Sequence, residues 1–401
     1  MVTLAYERLR AAADFRLTAR QTRLGAGAVA CAMLAVAVIQ IVMSKAYVTP
    51  AGTPVGGDFA AFWTAAKALA AGDAAAIYDP AVFTQWLERI APPQDEWGLS
   101  WQYPPTYFLV IAVLSVLPYG LGYALWSGGG FAIFAASSWR AGLRGEALLI
   151  MLAAPVAFQA FVTGQNGFLT ASLLLGATLL PDKRPLLAGA CAALLTMKPQ
   201  LGLLLPLAYI AGGHWRAFGY AATGSVLFAG ASVLFFGFAP WAAFFESLLG
   251  VGAHIGTGVM PLHKMPTVFA AFAMAGTPAP VALVFHLLGA AAAAWATFVV
   301  WRCSDSAALK AAVVCAGAFL VAPYAYYYEL VIIAAPLALL AVESARDGWR
   351  RHDHLMLAAL FLIPMLLPGA AAQQGFNLSF VVTALAFVFV VRRVLPQTTQ
   401  H

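Results

Sequence analysis

Charged residues are scarce in this chain. Only 9% of its 401 residues are charged, whereas a soluble domain carries roughly 25%. The mean hydropathy is +0.83, and one soluble core cannot bury that much apolar surface, so lipid must solvate much of the molecule. The basic residues are scattered at the ends of apolar runs, which is typical of membrane topology and argues against nucleic-acid binding.

Nucleotide-binding and metal-binding motifs are also missing from the sequence. There is no P-loop and no dinucleotide fingerprint. The cysteines show no metal-ligand spacing and lie in or beside apolar runs. We therefore expect no disulfide, no metal site and no cofactor. The four cysteines are Cys31, Cys191, Cys303 and Cys315.

Long apolar runs are abundant. Every backbone polar group needs an internal partner in lipid, so runs of this length predict helices. We predict an all-α integral membrane protein that forms a single transmembrane domain over 1–401. The first run follows an arginine-rich stretch, but it has span length and no small-residue cleavage site, which favours a retained helix over a signal peptide. The twelve predicted spans are 24–43, 119–139, 147–163, 168–181, 185–197, 199–212, 216–237, 280–301, 309–322, 328–343, 354–368 and 377–394.

The basic residues predict how these spans are oriented. Cytoplasmic loops carry an excess of Lys and Arg. With the N-terminus inside, 17 of the 22 basic residues fall on the inner side, so both termini are predicted to be cytoplasmic. A multi-pass protein of a bacterial inner membrane fits this pattern best. The basic residues left on the outer side are Lys45, Lys67, Arg89, Lys198 and Lys264.

Two long segments, 44–118 and 238–279, are predicted to lie outside. The apolar stretch within 104–118 covers only about 18 Å at 1.5 Å per residue, too short for a hydrocarbon core of about 30 Å. It is predicted to be a juxtamembrane or re-entrant helix, and 266–276 resembles it. Because the inner loops are short, we expect the non-membrane chemistry on the periplasmic or extracellular side.

Asp58 is the first candidate for chemistry. Within the motif GGDFAAFWTAAKALAAG, 56–72, it follows two glycines and opens a predicted helix. One interpretation is a simple N-cap, with the carboxylate bonded to the free amides of the first turn. The other is a general base held by a rigid helix start at the lipid–water boundary. The two are compatible, although amide bonds would lower the pKa of the carboxyl group.

Lys198 is the main candidate for binding a phosphate. It lies at the tip of a short hairpin whose two legs each cover about 20 Å, so it is predicted to be recessed below the outer surface. An ionisable side chain at membrane depth is costly, which favours a function such as binding a lipid phosphate. His263 and Lys264 in the second outer segment are further phosphate candidates, although a solvated loop facing headgroups explains them equally well.

Aromatic and amide side chains could bind a sugar or an acceptor. Tyr103 precedes two prolines in 101–108 and is either an interfacial anchor or a surface for a pyranose ring. Gln165 and Asn166 lie in TGQNG, 163–167, which is either a tight turn or a source of hydrogen bonds to sugar hydroxyls.

The motif APYAYYYEL, 322–330, supplies Tyr324 and Glu329. An aromatic belt at the membrane surface explains its tyrosines. It does not explain Glu329, which is better placed in a polar cavity than in lipid. Both residues are predicted to help position sugar hydroxyls.

An ordered set of these motifs resembles glycosyltransferase family 87. Its members are polyprenyl-phosphate-sugar-dependent enzymes of the GT-C superfamily and include mycobacterial phosphatidylinositol mannoside mannosyltransferases. The resemblance is clearest over 56–210. The motifs are GGDF at 56–59, IYDP at 77–80, YPP at 103–105, GQNG at 164–167 and KPQLGLLLPL at 198–207.

The resemblance implies a GT-C type bundle of about twelve transmembrane helices, with juxtamembrane helices in the first outer loop. A catalytic Asp early in that loop is matched by Asp58, and a basic residue before the KPQ-like proline is matched by Lys198. The implied reaction is an inverting transfer of a hexose, mannose first, from a polyprenyl-phosphate sugar to a lipid or glycan hydroxyl.

Two other classes of protein remain open. Twelve spans with both ends inside and broken helices at 185–212 are also typical of a transporter or flippase. Against that class, the sequence has no convincing internal repeat, and its polar residues gather at the outer edge. A non-catalytic lipid-binding or assembly subunit is the third class, and it would tolerate the loss of Asp58.

Overall fold

A computed structural model describes residues 18–50, 52–89, 99–253, 261–367 and 376–394. The chain is 77% helical, and within those ranges the only β pairing consists of isolated bridges between 45 and 54. The predicted all-α class is therefore confirmed.

The helix boundaries follow ordinary capping chemistry. Thr18 and Gln21 form a capping box at the first helix, and Asp79 caps a helix whose first residue is Pro80. Short 3₁₀ turns lie at Ala76–Tyr78 and Leu262–Lys264. The other helices, some with 3₁₀ ends, are α1 (Ala19–Val42), α2 (Phe59–Ala70), α3 (Pro80–Leu87), α4 (Pro105–Val116), α5 (Tyr119–Arg140), α6 (Gly145–Leu152), α7 (Pro155–Val162), α8 (Gly167–Leu179), α9 (Pro185–Met197), α10 (Pro199–Gly212), α11 (Trp215–Phe236), α12 (Ala239–Ala253), α13 (Val268–Met274), α14 (Ala279–Cys303), α15 (Ala307–Val321), α16 (Tyr327–Asp347), α17 (Asp353–Leu366) and α18 (Leu378–Val391).

Helices stand at all twelve predicted span positions, but few of them have the length to cross a membrane. Within the described ranges, α1, α11, α14 and α16 are long and apolar enough. The predicted span at 147–163 is present as a bent pair, α6 and α7, which meet at 47° and form either a broken span or a re-entrant loop. Pro155 causes this break because it lacks the N–H that would continue the helix. The number of twelve crossings stays a prediction.

The long helices divide into a lipid-facing shell and a buried centre. Only 6% of the apolar window of α11 is buried, against 61% for α16. Shell helices therefore present their apolar side chains to lipid. In the centre, small residues allow close helix contact: a Cβ on Gly317 of α15 would lie 2.8 Å from Leu204 and 3.2 Å from Ala293.

Both long segments predicted outside contain helices. The short helices expected at 104–118 and 266–276 are present as α4 and α13, while their position relative to the membrane stays a prediction. Helix α12 was not foreseen, because its 15 residues are apolar but too few for a span. It is fixed by the Trp241 Nε1 hydrogen bond to Ser232 Oγ, 3.0 Å, and by Phe244, whose ring lies 6.0 Å from that of Tyr78.

Candidate active site

Two glycine-rich turns pack directly on each other at one end of the bundle. The backbone N–H of Phe59, at the start of α2, donates to Thr163 O at 3.3 Å. Gly164 has a φ of +58°, and a Cβ there would lie 2.5 Å from Phe59 Cβ and 2.7 Å from Gly56 O. Only glycine fits a positive φ and this close approach together. The GGDF and TGQNG motifs, 104 residues apart in sequence at their nearest positions, Phe59 and Thr163, therefore form one surface.

Asp58 stands at the N-cap of α2, but it does not cap the helix through its side chain. Its backbone is in the right-handed helical region, φ −68° and ψ −15°, whereas capping side chains need an extended backbone to reach the first-turn amides. The interpretation of Asp58 as a simple side-chain N-cap is therefore wrong. The half-buried carboxylate instead accepts a 2.5 Å hydrogen bond from Gln165 Nε2.

Gln165 and Asn166 connect this carboxylate to the rest of the site. Gln165 Oε1 accepts from Tyr103 Oη at 3.3 Å and from the Asn166 backbone N–H at 3.1 Å. Both amide side chains are buried. They stand at the start of α8, where Trp126 Nε1 holds the turn by donating to Gly164 O at 3.0 Å. The Gln165 amide is thereby oriented with its N–H toward Asp58.

Lys198 lies recessed between α9 and α10, with only 5% of its surface exposed. Its Nζ donates to Asn166 Oδ1 at 2.9 Å and forms an ion pair with Glu329. It also lies 5.4 Å from the centre of the Tyr103 ring, a cation–π contact. The residue before a proline avoids the helical region, and Lys198, before Pro199, accordingly interrupts the helical path with φ −143° and ψ 67°.

Glu329 brings the last motif into the same site. It is 1% exposed, and its Oε2 accepts the backbone N–H of Tyr326 at 2.7 Å. A Cβ on Gly167 would lie 2.8 Å from Val331, so the starts of α8 and α16 are in contact. The ion pair with Lys198 and the Tyr326 amide occupy the two carboxylate oxygens that were expected to contact a sugar.

The tyrosines around these carboxylates remain protonated. Burial raises the pKa of Tyr103 well above its usual value, and the negative charges of Glu329 and Asp58 raise it further. Burial, followed by the charges of Asp58 and Glu329, raises the pKa of Tyr326 to about 12. Tyr324 is shifted in the same direction, mainly by burial. Near neutral pH these phenols therefore act as hydrogen-bond donors.

His263 and Lys264 lie in a different contact environment. Their turn is tied to the start of α18, since Asn377 Nδ2 donates to Met265 O at 2.8 Å and Ser379 Oγ donates to His263 O at 3.5 Å. Burial, followed by the Lys264 charge, lowers the pKa of His263 and so favours its neutral form. No hydrogen bond or ion pair between described residues joins either side chain to Asp58 or Lys198.

The sequence did not identify Tyr326 or Trp126 as part of this site. Both act through groups that leave little trace in a single sequence. Tyr326 contributes a backbone N–H, and Trp126 contributes an indole N–H from the middle of an apolar span. The stack of Tyr103 on Tyr107, with ring centres 4.5 Å apart, was equally hidden in a motif that membrane-interface anchoring explains.

Two further features bear on what the site can hold. Asn166 Nδ2 is buried and makes no hydrogen bond of good geometry, although the Asn166 side chain interacts with the Tyr107 hydroxyl. This leaves a weakly used donor in the cluster with the Lys198 ammonium. An apolar cavity of about 310 Å³ adjoins the same turn at Thr196 and Pro199. Among the residues with assigned positions, no group of three or more His, Cys, Asp or Glu could hold a metal ion.

The geometry thus joins a carboxylate, two amides and a buried cation in one hydrogen-bonded cluster. Asp58 bonds to Gln165, and the neighbouring Asn166 bonds to Lys198. A carboxylate can accept a proton, and an ammonium with an amide N–H can bind an anion. Transfer from a phosphorylated donor to a hydroxyl uses both functions: a base for the hydroxyl proton and a cation for the phosphate.

Comparison with known proteins confirms the resemblance. The family model described as glycosyltransferase family 87 matches residues 101–323, more than half of the chain. The matched residues include Tyr103, Gln165, Asn166 and Lys198, and they exclude Asp58. No curated protein and no solved structure matches the chain. The chain belongs to glycosyltransferase family 87 and is a membrane glycosyltransferase.

Proposed function

We propose that this protein transfers a hexose, most simply mannose, from a polyprenyl-phosphate donor to a hydroxyl of a lipid or glycan acceptor. In this proposal the site faces the periplasm of a bacterial inner membrane, with both termini in the cytoplasm and twelve crossings. The observation that carries the proposal is the bridge from Asp58 to Lys198 through the adjacent side chains of Gln165 and Asn166.

Asp58 acts as the general base. It removes a proton from the acceptor hydroxyl while the hydroxyl oxygen attacks the anomeric carbon. The bond from that carbon to the phosphate oxygen breaks, and polyprenyl phosphate leaves with the bonding electrons. A single in-line displacement inverts the anomeric configuration. The Gln165 N–H on Oδ2 orients the carboxylate.

Lys198 stabilises the departing phosphate. A polyprenyl-phosphate sugar is a phosphodiester with one negative charge, and a second charge develops as the sugar leaves. The phosphate oxygen that emerges would accept hydrogen bonds from the ammonium and from Asn166 Nδ2. One buried lysine fits one phosphate, and the apolar cavity beside Pro199 suits part of a prenyl chain.

The remaining candidates are assigned to binding. Gln165 and Asn166, which belong to the cluster, and Tyr103 and Tyr324 beside it would hold sugar hydroxyls or pack on the ring. Glu329 was expected among them, but its ion pair with Lys198 favours a different role. His263 and Lys264 would assist the phosphate only if their turn approached the cluster in the donor complex.

The test is sugar transfer by the purified full-length protein. The protein is reconstituted in vesicles that contain native lipid extract and is given radiolabelled polyprenyl-phosphate mannose or glucose. We expect a new labelled glycolipid, formed only with protein. Label that crosses the sealed membrane without a covalent change would support the transporter class instead, and no change of either kind would contradict both.

A further inference from the structure

Glu329 is a buried carboxylate held from two sides. Lys198 Nζ pairs with Oε1, and the Tyr326 N–H donates to Oε2 at 2.7 Å. The Glu329 side chain is 1% exposed. Removing two opposite charges from water costs about as much as their attraction returns. Stability alone therefore does not account for a buried ion pair at this position.

Lys198 has one anionic partner among the positions that the structure describes, and that partner is Glu329. Its other hydrogen bond goes to the neutral Asn166 Oδ1. A phosphate that binds Lys198 must therefore share the ammonium with Glu329 or take it away. The weakly used Asn166 Nδ2 leaves a donor in the same cluster for the arriving oxygen.

We infer that Glu329 takes the place of the donor phosphate while no donor is bound. It neutralises Lys198, and the phosphate displaces it from Lys198 when the donor binds. This inference rests on the proposed role of Lys198. The phosphate replaces Glu329 as the partner of Lys198, but Glu329 keeps its own charge, so the Lys198–Glu329 site changes from neutral to one net negative charge when the donor binds. Lys198 has a flexible stem and turns toward the phosphate, while the Tyr326 N–H retains Glu329.

The same carboxylate promotes product departure. After transfer the polyprenyl phosphate carries a second negative charge, and Glu329 waits beside it to reclaim Lys198. Repulsion between the two anions then favours release. Glu329 is a positioning residue in this scheme, because it acts on the reaction only through Lys198.

The test is binding of farnesyl phosphate to the full-length protein in detergent, measured by calorimetry. Glu329→Gln keeps an acceptor for the Tyr326 N–H but removes the competing charge. We expect its Kd for farnesyl phosphate to fall about tenfold. The repulsion between two negative charges a few ångströms apart is larger than the free energy that corresponds to a tenfold change in Kd. Farnesol, which lacks the phosphate, should bind both proteins equally.

Two variants serve as controls. Glu343→Gln removes a carboxylate from the same helix, α16, where Glu343 accepts from Ser306 Oγ at 2.6 Å. It should leave farnesyl phosphate binding unchanged. In a Lys198→Gln background, the substitution at Glu329 should no longer tighten binding. Unchanged or weaker binding by the Glu329→Gln protein would overturn the inference and make the pair a structural one.

Kinetics supply a second readout. Glu329→Gln should lower KM for the donor and also lower kcat, because the product leaves more slowly, while the rate of a single turnover is kept. A purely structural role predicts a lower single-turnover rate with KM unchanged or raised. That pattern would also count against the exchange.

Folding of the variant has a definite expectation as well. Glu329→Gln leaves the buried Lys198 charge without an anionic partner. If the variant does not fold by itself, purification with farnesyl phosphate should restore folding, whereas purification with farnesol should not. Absence of rescue would contradict the inference. Failure of the proposed function gives a different result. In that case the Lys198→Gln protein would bind farnesyl phosphate as tightly as the wild-type protein does.

Discussion

The two ends of helix α16 each carry a buried carboxylate cluster, and the two clusters are built differently. Glu329 stands at the first turn of α16 and Ser344 near the last, roughly 22 Å apart along the axis. At the far end, Arg393 Nη2 contacts Asp353 Oδ2 at 2.7 Å and Ser344 Oγ at 2.8 Å. At the near end, the Lys198–Glu329 pair lies beside Asp58 and the Gln165–Asn166 bridge.

The far cluster is built on arginine, although one oxygen of its carboxylate, Asp353 Oδ1, has no hydrogen-bond partner. Asp353 is fully buried and accepts from Arg393 and from the Arg350 backbone N–H, with Arg392 3.7 Å away. Two planar guanidinium groups around one carboxylate hold the ends of α16, α17 and α18 together.

The near cluster is built on one lysine instead. It has a single flexible ammonium, a weakly used amide donor, and a carboxylate, Asp58, that has no ion pair among the described residues. A single flexible ammonium changes partners more readily than two planar guanidinium groups that surround one carboxylate. The comparison teaches that burial and charge pairing alone do not identify a catalytic site. Unused hydrogen-bonding capacity does not identify it either, since Asp353 Oδ1 is also buried without a hydrogen-bond partner. The near cluster differs because its cation is a single flexible ammonium and because it lies beside the Asp58 carboxylate.

Asp58→Asn should give the largest effect. Loss of the general base is expected to lower kcat by about 10²- to 10⁴-fold. The thermal unfolding temperature should hardly change, because Asn can still accept the Gln165 N–H. The measurement is labelled glycolipid formation together with thermal unfolding. Asp73→Asn is the matched control, since Asp73 lies in the same segment and accepts from Trp86 Nε1. Equal activity in the two variants would remove Asp58 from the mechanism.

Asp353→Asn should show the opposite pattern: a loss of stability with little change in the activity of each folded molecule. It leaves the buried Arg393 without its anion and is expected to cost about 3–5 kcal/mol of stability. The folded fraction should keep normal donor KM. Thermal unfolding with activity per folded molecule measures both quantities. Asp182→Asn, which alters an exposed carboxylate paired with His214, should change stability little. Altered KM in Asp353→Asn would mean that the far end is coupled to the site.

Gly164→Ala sharpens the comparison within the near cluster. The new Cβ would overlap Phe59 and Gly56, which is expected to cost about 1–3 kcal/mol. Moving Gln165 away from Asp58 should also lower kcat by about tenfold or more. Gly213→Ala is the control, because φ is +71° there but no atom lies within 4 Å of the Cβ. If both variants lose activity equally, the contact between the two turns is not what positions the base.

His214 should give the smallest effect, confined to the loop between α10 and α11. Burial lowers its pKa, opposed by Asp182 and reinforced by Lys310. The unfolded chain then binds more protons than the folded one, so this contribution to stability is lost as pH falls below about 6.5. His214→Gln should lose less stability than the wild type between pH 8 and pH 5.5 in thermal unfolding, with donor KM the same. An identical pH dependence would contradict this assignment.

Much of the architecture could be predicted from composition and spacing. Apolar runs located helices at each predicted span, because lipid leaves no alternative for the backbone. The segment 56–72 was predicted to begin a helix at Asp58, and α2 begins at Phe59. The break at Pro155 was missed although proline is a clear local signal, since the run around it is uniformly apolar.

The site itself was less predictable. Lys198 stood out because a buried charge is costly, and Asp58 stood out beside its glycines. Their connection did not, because it depends on Gln165 and Asn166, which a sequence presents as an ordinary turn. Glu329 was identified as unusual, but its partner could not be read from spacing. His263 and Lys264 matched the expected chemistry, yet they lie on the turn tied to α18.

By itself, the sequence determined the helical membrane class and the types of chemical group available, because hydropathy and side-chain chemistry are local properties. Only the tertiary structure decided which groups meet. Whether a charge is surrounded by arginines, as at Asp353, or paired with a single carboxylate, as at Lys198, depends on helices that are distant in sequence and packed together in the bundle.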